Sequence, residues 1–157
     1  MPDEEPKLKS EIKKPNVVII GAGYSGINCA KELDSSKKFN VTLIDKNGYF
    51  MNTFAALRTA VRDRWSDNVI LDSTKLMKNG GKILQGNILS IDVRNKFVTT
   101  NDSSTFQYDY LVIATGQQHQ FPARSPSTAG GQAKQIYQQF YGDIQRGKSI
   151  TIIGGGM

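Results

Sequence analysis

The hydrophobic pattern of the chain begins abruptly at position 17. Val17, Val18, Ile19 and Ile20 form an unbroken β-branched run bounded by Pro15 and Gly21. A short apolar run with no polar alternation predicts a strand buried on both faces, the kind found in parallel sheets. Beyond it, Ile27, Ala30 and Leu33 recur at the spacing of one helix face, which predicts a helix ending between Asp34 and Lys38. Val41 to Ile44 is a second apolar strand and closes on Asp45. Strand, helix and strand within about thirty residues make a βαβ unit.

Farther along, residues 84–93, 97–100 and 106–114 carry short alternating or apolar runs separated by Arg94-Asn95 and by the polar residues 101–104. They predict a β-meander inserted in a doubly wound α/β domain. The segment 108–114 reads as another buried strand, its alternation placing Tyr108 and Tyr110 on one face, and it ends in the small-residue turn Ala114-Thr115-Gly116. Carboxyl ends of strands are where open α/β sheets admit ligands. Ile136, Phe140 and Ile144 at four-residue spacing predict a helix over 132–145. Residues 149–153 then predict a strand running into Gly154-Gly155-Gly156, which repeats the logic of the first strand and its glycine turn.

Gly21, Gly23 and Gly26 stand in G-x-G-x-x-G spacing between the first strand and the helix. The first glycine permits the tight turn, the second lets backbone approach a pyrophosphate, and the third lets helix and strand pack closely. The helix N-terminus adds free N–H groups and partial positive charge for phosphate. Asp45, nineteen residues after Gly26, ends the second strand where a carboxylate can accept hydrogen bonds from ribose hydroxyls and would repel a 2′-phosphate. Together these features predict dinucleotide binding. They do not choose between FAD and a nicotinamide cofactor.

The 157 residues suffice for about one domain, so any two-domain enzyme is expected to be incomplete here. A hydrophobic share of 38% supports one real core, and no uncharged apolar run approaches the roughly 18 residues of a membrane-spanning helix. One cysteine (Cys29) and one histidine (His119) exclude an internal disulfide, a CxxC redox pair and a Cys/His zinc site. The formal charge of +6 is spread along the chain, which argues against nucleic acid as a partner. Residues 1–15 balance acids against lysines, carry Pro2, Pro6 and Pro15, and read as a solvated tail with neither a signal peptide nor a myristoylation site. A cytoplasmic protein is the default expectation.

The order of these motifs is the order found in flavoproteins with two dinucleotide domains. The chain resembles the pyridine nucleotide-disulfide oxidoreductase superfamily over residues 16–157, and the segment 52–61, with Ala55-Ala56-Leu57-Arg58, resembles apoptosis-inducing-factor-like proteins of the ferroptosis suppressor type. The resemblance implies a FAD-dependent oxidoreductase that passes electrons from NAD(P)H through flavin to a quinone or another small acceptor. It implies a FAD-binding domain over 16–147 and, over 148–157, the first strand and glycine turn of a truncated NAD(P)H-binding domain. Gly21, Ala22, Gly23, Tyr24, Ser25 and Gly26 are then expected to cradle the FAD pyrophosphate, Asp45 and Lys46 to hold the adenosine end, and Arg58 to reach the cofactor from a following helix. The backbone of Ile88 would meet the adenine, with Ala114, Thr115 and Gly116 beside the cofactor. The redox cysteine pair of disulfide-reducing members is absent, which implies direct transfer from flavin to acceptor. Peripheral association with a membrane or lipid droplet is a further implication of the resemblance.

No catalytic side chain and no metal ligand stands out. Cys29 reads as a packing residue and His119 as a loop histidine, Arg58, Arg62 and Arg64 also fit a solvated helix face, and Trp65 has no assigned role. Two other classes remain open: a non-catalytic NAD-binding module, and a non-enzymatic fragment whose uncapped apolar strand at 149–153 would be an aggregation hazard.

Overall fold

The computed structural model describes residues 13–154, residue 75 excepted. The expected tail therefore lies largely outside the described residues, as do the last three positions of the chain. Strand β1 (Asn16–Ile20) leads through the glycine turn into helix α1 (Tyr24–Ser36) and strand β2 (Asn40–Asp45). A short strand β3 (Phe50–Met51), a 3₁₀ helix (Thr53–Ala60), helix α2 (Ser66–Val69) and strand β4 (Ile70–Leu71) follow. Strand β5 (Lys82–Gln85) precedes β6 (Ile88–Asp92), β7 (Phe97–Thr100) and β8 (Thr105–Gln107). The last regular elements are strand β9 (Tyr110–Ile113) and helix α3 (Gly130–Arg146).

The main sheet has the order β5-β2-β1-β9 and is parallel throughout, with Val17 in register with Val41 on one side and Tyr110 on the other. Its central strand explains its own composition. Val17 and Ile19 face α1 and pack with Ala22, Ile27, Ala30, Val41 and Leu43, whereas Val18 and Ile20 face the meander and pack with Ile44, Val98 and Tyr108. Because consecutive side chains point to opposite faces and both faces are covered, every position of the run must be apolar. Ile19, Leu43 and Ile44 are completely buried, each contributing about 1.5–3 kcal/mol of transfer free energy.

The meander is β6-β7-β8, antiparallel, lying as a separate small sheet against the second face. The run read as 84–93 is thus two strands: Gly86 and Asn87 break it, sending β5 to the parallel sheet and β6 to the meander. Likewise the run 106–114 divides between β8 and β9. Tyr108 precedes β9 and is buried beneath the meander, while Tyr110 lies 59% exposed against Phe39, so the two tyrosines do not share a strand face. β9 is a sheet-edge strand, which leaves Tyr110 and Ile113 open to solvent. The predicted strand over 149–153 does not form: these residues carry no regular structure, and Ile150, Ile152 and Ile153 are exposed. A strand exists through its ladder, and among the described residues no strand lies alongside this segment.

Helix α1 ends where predicted. Lys37 takes the left-handed conformation at φ 58°, its N–H donating to the Asp34 carbonyl at 3.1 Å. A side chain in this conformation is strained relative to glycine. Lys37→Gly is expected to raise stability by about 0.5–1 kcal/mol, read from the thermal unfolding midpoint; no gain would mean that the C-cap is not strained. Cys29 packs half-buried against the helix-side core, as expected of a small apolar residue.

A third apolar cluster, Tyr49, Met51, Ala56, Val69, Ile70, Ala133 and Tyr137, joins α3 to the 3₁₀ helix and β4. It anchors the segment that follows β2 beside the carboxyl ends of the parallel strands.

Candidate functional site

The glycine turn is built by contact. Gly21 has φ 103°, a conformation open to glycine, and a Cβ there would collide with the Ala114 carbonyl. A Cβ on Gly26 would collide with the Gly21 carbonyl, so the third glycine is what lets α1 start this close to β1. Gly23 differs: a Cβ on it would meet nothing within 4 Å. The first hydrogen bond of α1 runs from Ile27 N–H to the Gly23 carbonyl at 3.0 Å. The N–H groups of Tyr24, Ser25 and Gly26 precede that bond, no side chain caps the helix, and its first turn holds no acid. Free donors, the helix dipole and empty space over Gly23 are the features that suit a helix N-terminus to an anion.

Asp45 is oriented by the backbone around it. Its Oδ2 accepts from Ala22 N–H at 2.6 Å and its Oδ1 from Asn47 N–H at 2.7 Å. These bonds tie the end of β2 to the glycine turn and leave each oxygen a further lone pair for a ligand hydroxyl.

Two adjoining hollows open at the carboxyl ends of the strands. The first, about 290 Å³, is lined by Ile20, Gly21, Ile44, Asp45, Lys46, Gly86, Asn87, Ile88 and Thr115. Residues expected to share a site from four separate stretches of sequence therefore meet in one cavity. Its far wall is held by the Gly86 N–H donating to the Asp45 carbonyl at 2.8 Å. The second hollow, about 790 Å³, shares Asp45, Lys46 and Thr115 with the first and extends beneath the loop that follows β9. His119 and Arg124 lie along it. Ala114 closes the junction, its N–H donating to the Ile20 carbonyl at 2.8 Å, and Gly116 turns away at φ 67°.

Other expected residues stand farther off. The side chain of Tyr24 turns toward β3: its hydroxyl donates to Asn52 Oδ1 at 2.7 Å, and its ring meets Phe50 edge-on at 5.1 Å and Phe54 at 5.2 Å. Ser25 is exposed on the first turn. Arg58 lines neither hollow. It is exposed on the 3₁₀ helix with its guanidinium 5.3 Å above the Trp65 ring, which Arg62 also approaches at 5.6 Å. Trp65, given no role from sequence, is thus the partner of both arginines.

The loop across the second hollow carried no periodic signal. It is tied down at distant points: Gly48 N–H donates to the Thr128 carbonyl at 3.0 Å, the Tyr49 hydroxyl to the Ser127 carbonyl at 2.7 Å and the Tyr137 hydroxyl to the Pro122 carbonyl at 2.8 Å. Burial raises the pKa of Tyr49 and of Tyr137 against the opposing charge of Arg124, so both phenols stay protonated donors at neutral pH.

The chain is 34% identical over 146 residues to apoptosis-inducing factor homolog B of Dictyostelium discoideum, covering 92% of this chain and 36% of that protein. It is 30% identical over 144 residues to ferroptosis suppressor protein 1 of Mus musculus, covering 90% of this chain and 37% of that protein. Among solved structures it is similar to the sulfide:quinone oxidoreductase of Aquifex aeolicus, with a TM-score of 0.60 and 28% identity over 82% of this chain and 33% of that one. The chain thus spans little more than a third of the length of these curated relatives. The family described as pyridine nucleotide-disulphide oxidoreductase matches residues 15–157, and the chain belongs to that family.

Proposed function

We propose that this chain forms the FAD-binding part of a flavoprotein oxidoreductase that carries electrons from NAD(P)H to a quinone or another small acceptor. The observation that carries the reading is the uncapped start of α1, with open space over Gly23, beside the hollow bounded by Asp45 and Ile88. The first-turn N–H groups of α1 suit a diphosphate. The free lone pairs of Asp45 suit ribose hydroxyls, and the Gly86-Asn87-Ile88 backbone suits an adenine edge, with Thr115 and Gly116 at the far side of the turn. Arg58 would join the cofactor only by leaving the face of Trp65. Bound FAD would supply hydride acceptance and onward electron transfer, while the protein supplies placement.

The pyridine nucleotide in the family's description supports NAD(P)H as the electron source, and the quinone in the name of the Aquifex aeolicus neighbour supports a quinone acceptor. A formal charge of +6 suits approach to an anionic membrane surface, where such acceptors partition. No described helix is long and apolar enough to cross a membrane.

The reading is tested by the absorbance spectrum of the purified 157-residue chain after incubation with FAD and removal of free cofactor. Flavin bands that stay with the protein are the expected result. A colourless protein with a cooperative unfolding transition would overturn the FAD site.

A further inference from the structure

Resting on the dinucleotide reading above, we propose that Arg124 supplies a guanidinium to the phosphates of the bound nucleotide, making the loop after β9 part of the cofactor site. Three observations meet at this residue. Arg124 lines the larger hollow, which joins the adenosine-sized one through Asp45, Lys46 and Thr115. Its Nε is buried and finds no hydrogen-bond acceptor. Among the described residues no carboxylate forms an ion pair with it, the ion pairs being Lys134 with Asp67 and Arg146 with Asp143.

A half-buried guanidinium is normally matched by an acceptor, because its N–H groups lose water without recompense otherwise. Here the protein holds the cation in place without matching it. The backbone N–H of Arg124 donates to the Gln120 carbonyl at 3.2 Å, and the loop on either side is tied by Tyr137 and Tyr49. The two phenols spend their protons on the Pro122 and Ser127 carbonyls and offer Arg124 no negative charge. Arginine presents donors in a rigid fork that fits phosphate oxygens, which makes a phosphate the natural acceptor in this hollow. Lys46 also lines this hollow and adds a second positive charge, beside the Asp45 carboxylate, whose oxygens accept from the Ala22 and Asn47 N–H groups. Arg58, the arginine that sequence resemblance points to, is engaged with Trp65 instead.

The test compares ADP with adenosine on the full chain by calorimetry, for wild type, Arg124→Gln and Arg124→Lys. Wild type is expected to bind ADP more tightly than adenosine. Arg124→Gln should weaken ADP by about tenfold and leave adenosine unchanged, with Arg124→Lys intermediate because it keeps the charge and loses the fork. Equal ADP affinity in wild type and Arg124→Gln would overturn the assignment while leaving the dinucleotide site standing. Equal loss of ADP and adenosine in Arg124→Gln would also overturn it, by showing that the residue shapes the loop alone. Wild type that binds neither ligand would overturn the dinucleotide reading itself. Thermal unfolding of each variant shows whether the fold is kept, and Arg124→Lys keeps the test decisive if the glutamine variant unfolds.

Discussion

Gly26→Ala is expected to lower stability by about 3 kcal/mol, although alanine is the better helix former by about 1 kcal/mol. The reason is steric. The added Cβ falls on the Gly21 carbonyl, a backbone atom that cannot rotate aside, and the Ala114 side chain lies 3.5 Å away on the same flank. Relief requires α1 to back away from β1 and so to open the helix-side core of Val17, Ile19, Ile27 and Ala30. At this chain length the loss corresponds to a fall in unfolding midpoint of roughly 10 °C. Gly23→Ala should behave oppositely. Position 23 is extended, at φ −76° and ψ −173°, which any residue adopts, and its Cβ would meet nothing within 4 Å. Stability should stay within about 0.5 kcal/mol of wild type, while retention of FAD falls because a methyl group occupies the approach to the helix donors. A Gly26→Ala protein that melts with wild type would remove the close-approach argument, and a Gly23→Ala protein that holds FAD normally would remove the phosphate surface from that position.

The contrast between those glycines shows how far local pattern carries. The βαβ unit was legible because each of its signals acts over a few residues: β-branched runs, one helical face, glycines at set spacing and a carboxylate at a strand end. The same holds for the meeting of Gly21, Asp45, Ile88 and Thr115, since doubly wound topology brings strand ends together whatever the loops do. What stayed hidden depends on contacts between distant positions. The division of 84–93 at Gly86-Asn87 follows from which sheet each half joins, and a run of alternating residues does not state its partner. Tyr108 is buried because the meander folds over it. Arg58 reads as a cofactor ligand from its motif, yet Trp65, seven positions later, claims its guanidinium. Arg124 lies in a polar loop whose position is set by Tyr49 and Tyr137, and nothing adjacent in sequence marks it.

Asp34→Ala is expected to cost about 3 kcal/mol at neutral pH, a loss that sequence would assign to no helix-end aspartate. Asp34 is 5% exposed at the end of α1, where its carboxylate accepts from the N–H groups of Lys78 and Asn79, each at 2.9 Å, and of Gly81 at 2.8 Å. Burial acts to raise its pKa, but these backbone donors and the Asn79 side chain outweigh burial and hold the carboxyl below its ordinary value. The folded pKa is thus below the unfolded one, so the stabilisation is complete above the unfolded pKa, about 3.9, and is lost as pH falls through the folded value. Denaturant unfolding should show the full gap between wild type and Asp34→Ala at pH 7 and a smaller one at pH 3. Asp34→Asn should fall between them at pH 7, since one oxygen becomes a donor facing donors, and its stability should not carry this acid dependence. A gap unchanged at pH 3 would mean that the charge is irrelevant to the clamp. The clamp also bears on the site. The segment it holds leads straight into β5, and Gly86 and Ile88 beyond β5 wall the smaller hollow. Loosening that segment should therefore weaken FAD retention in Asp34→Ala although Asp34 lines neither hollow, and Asp34→Asn, which keeps one acceptor, should recover part of it.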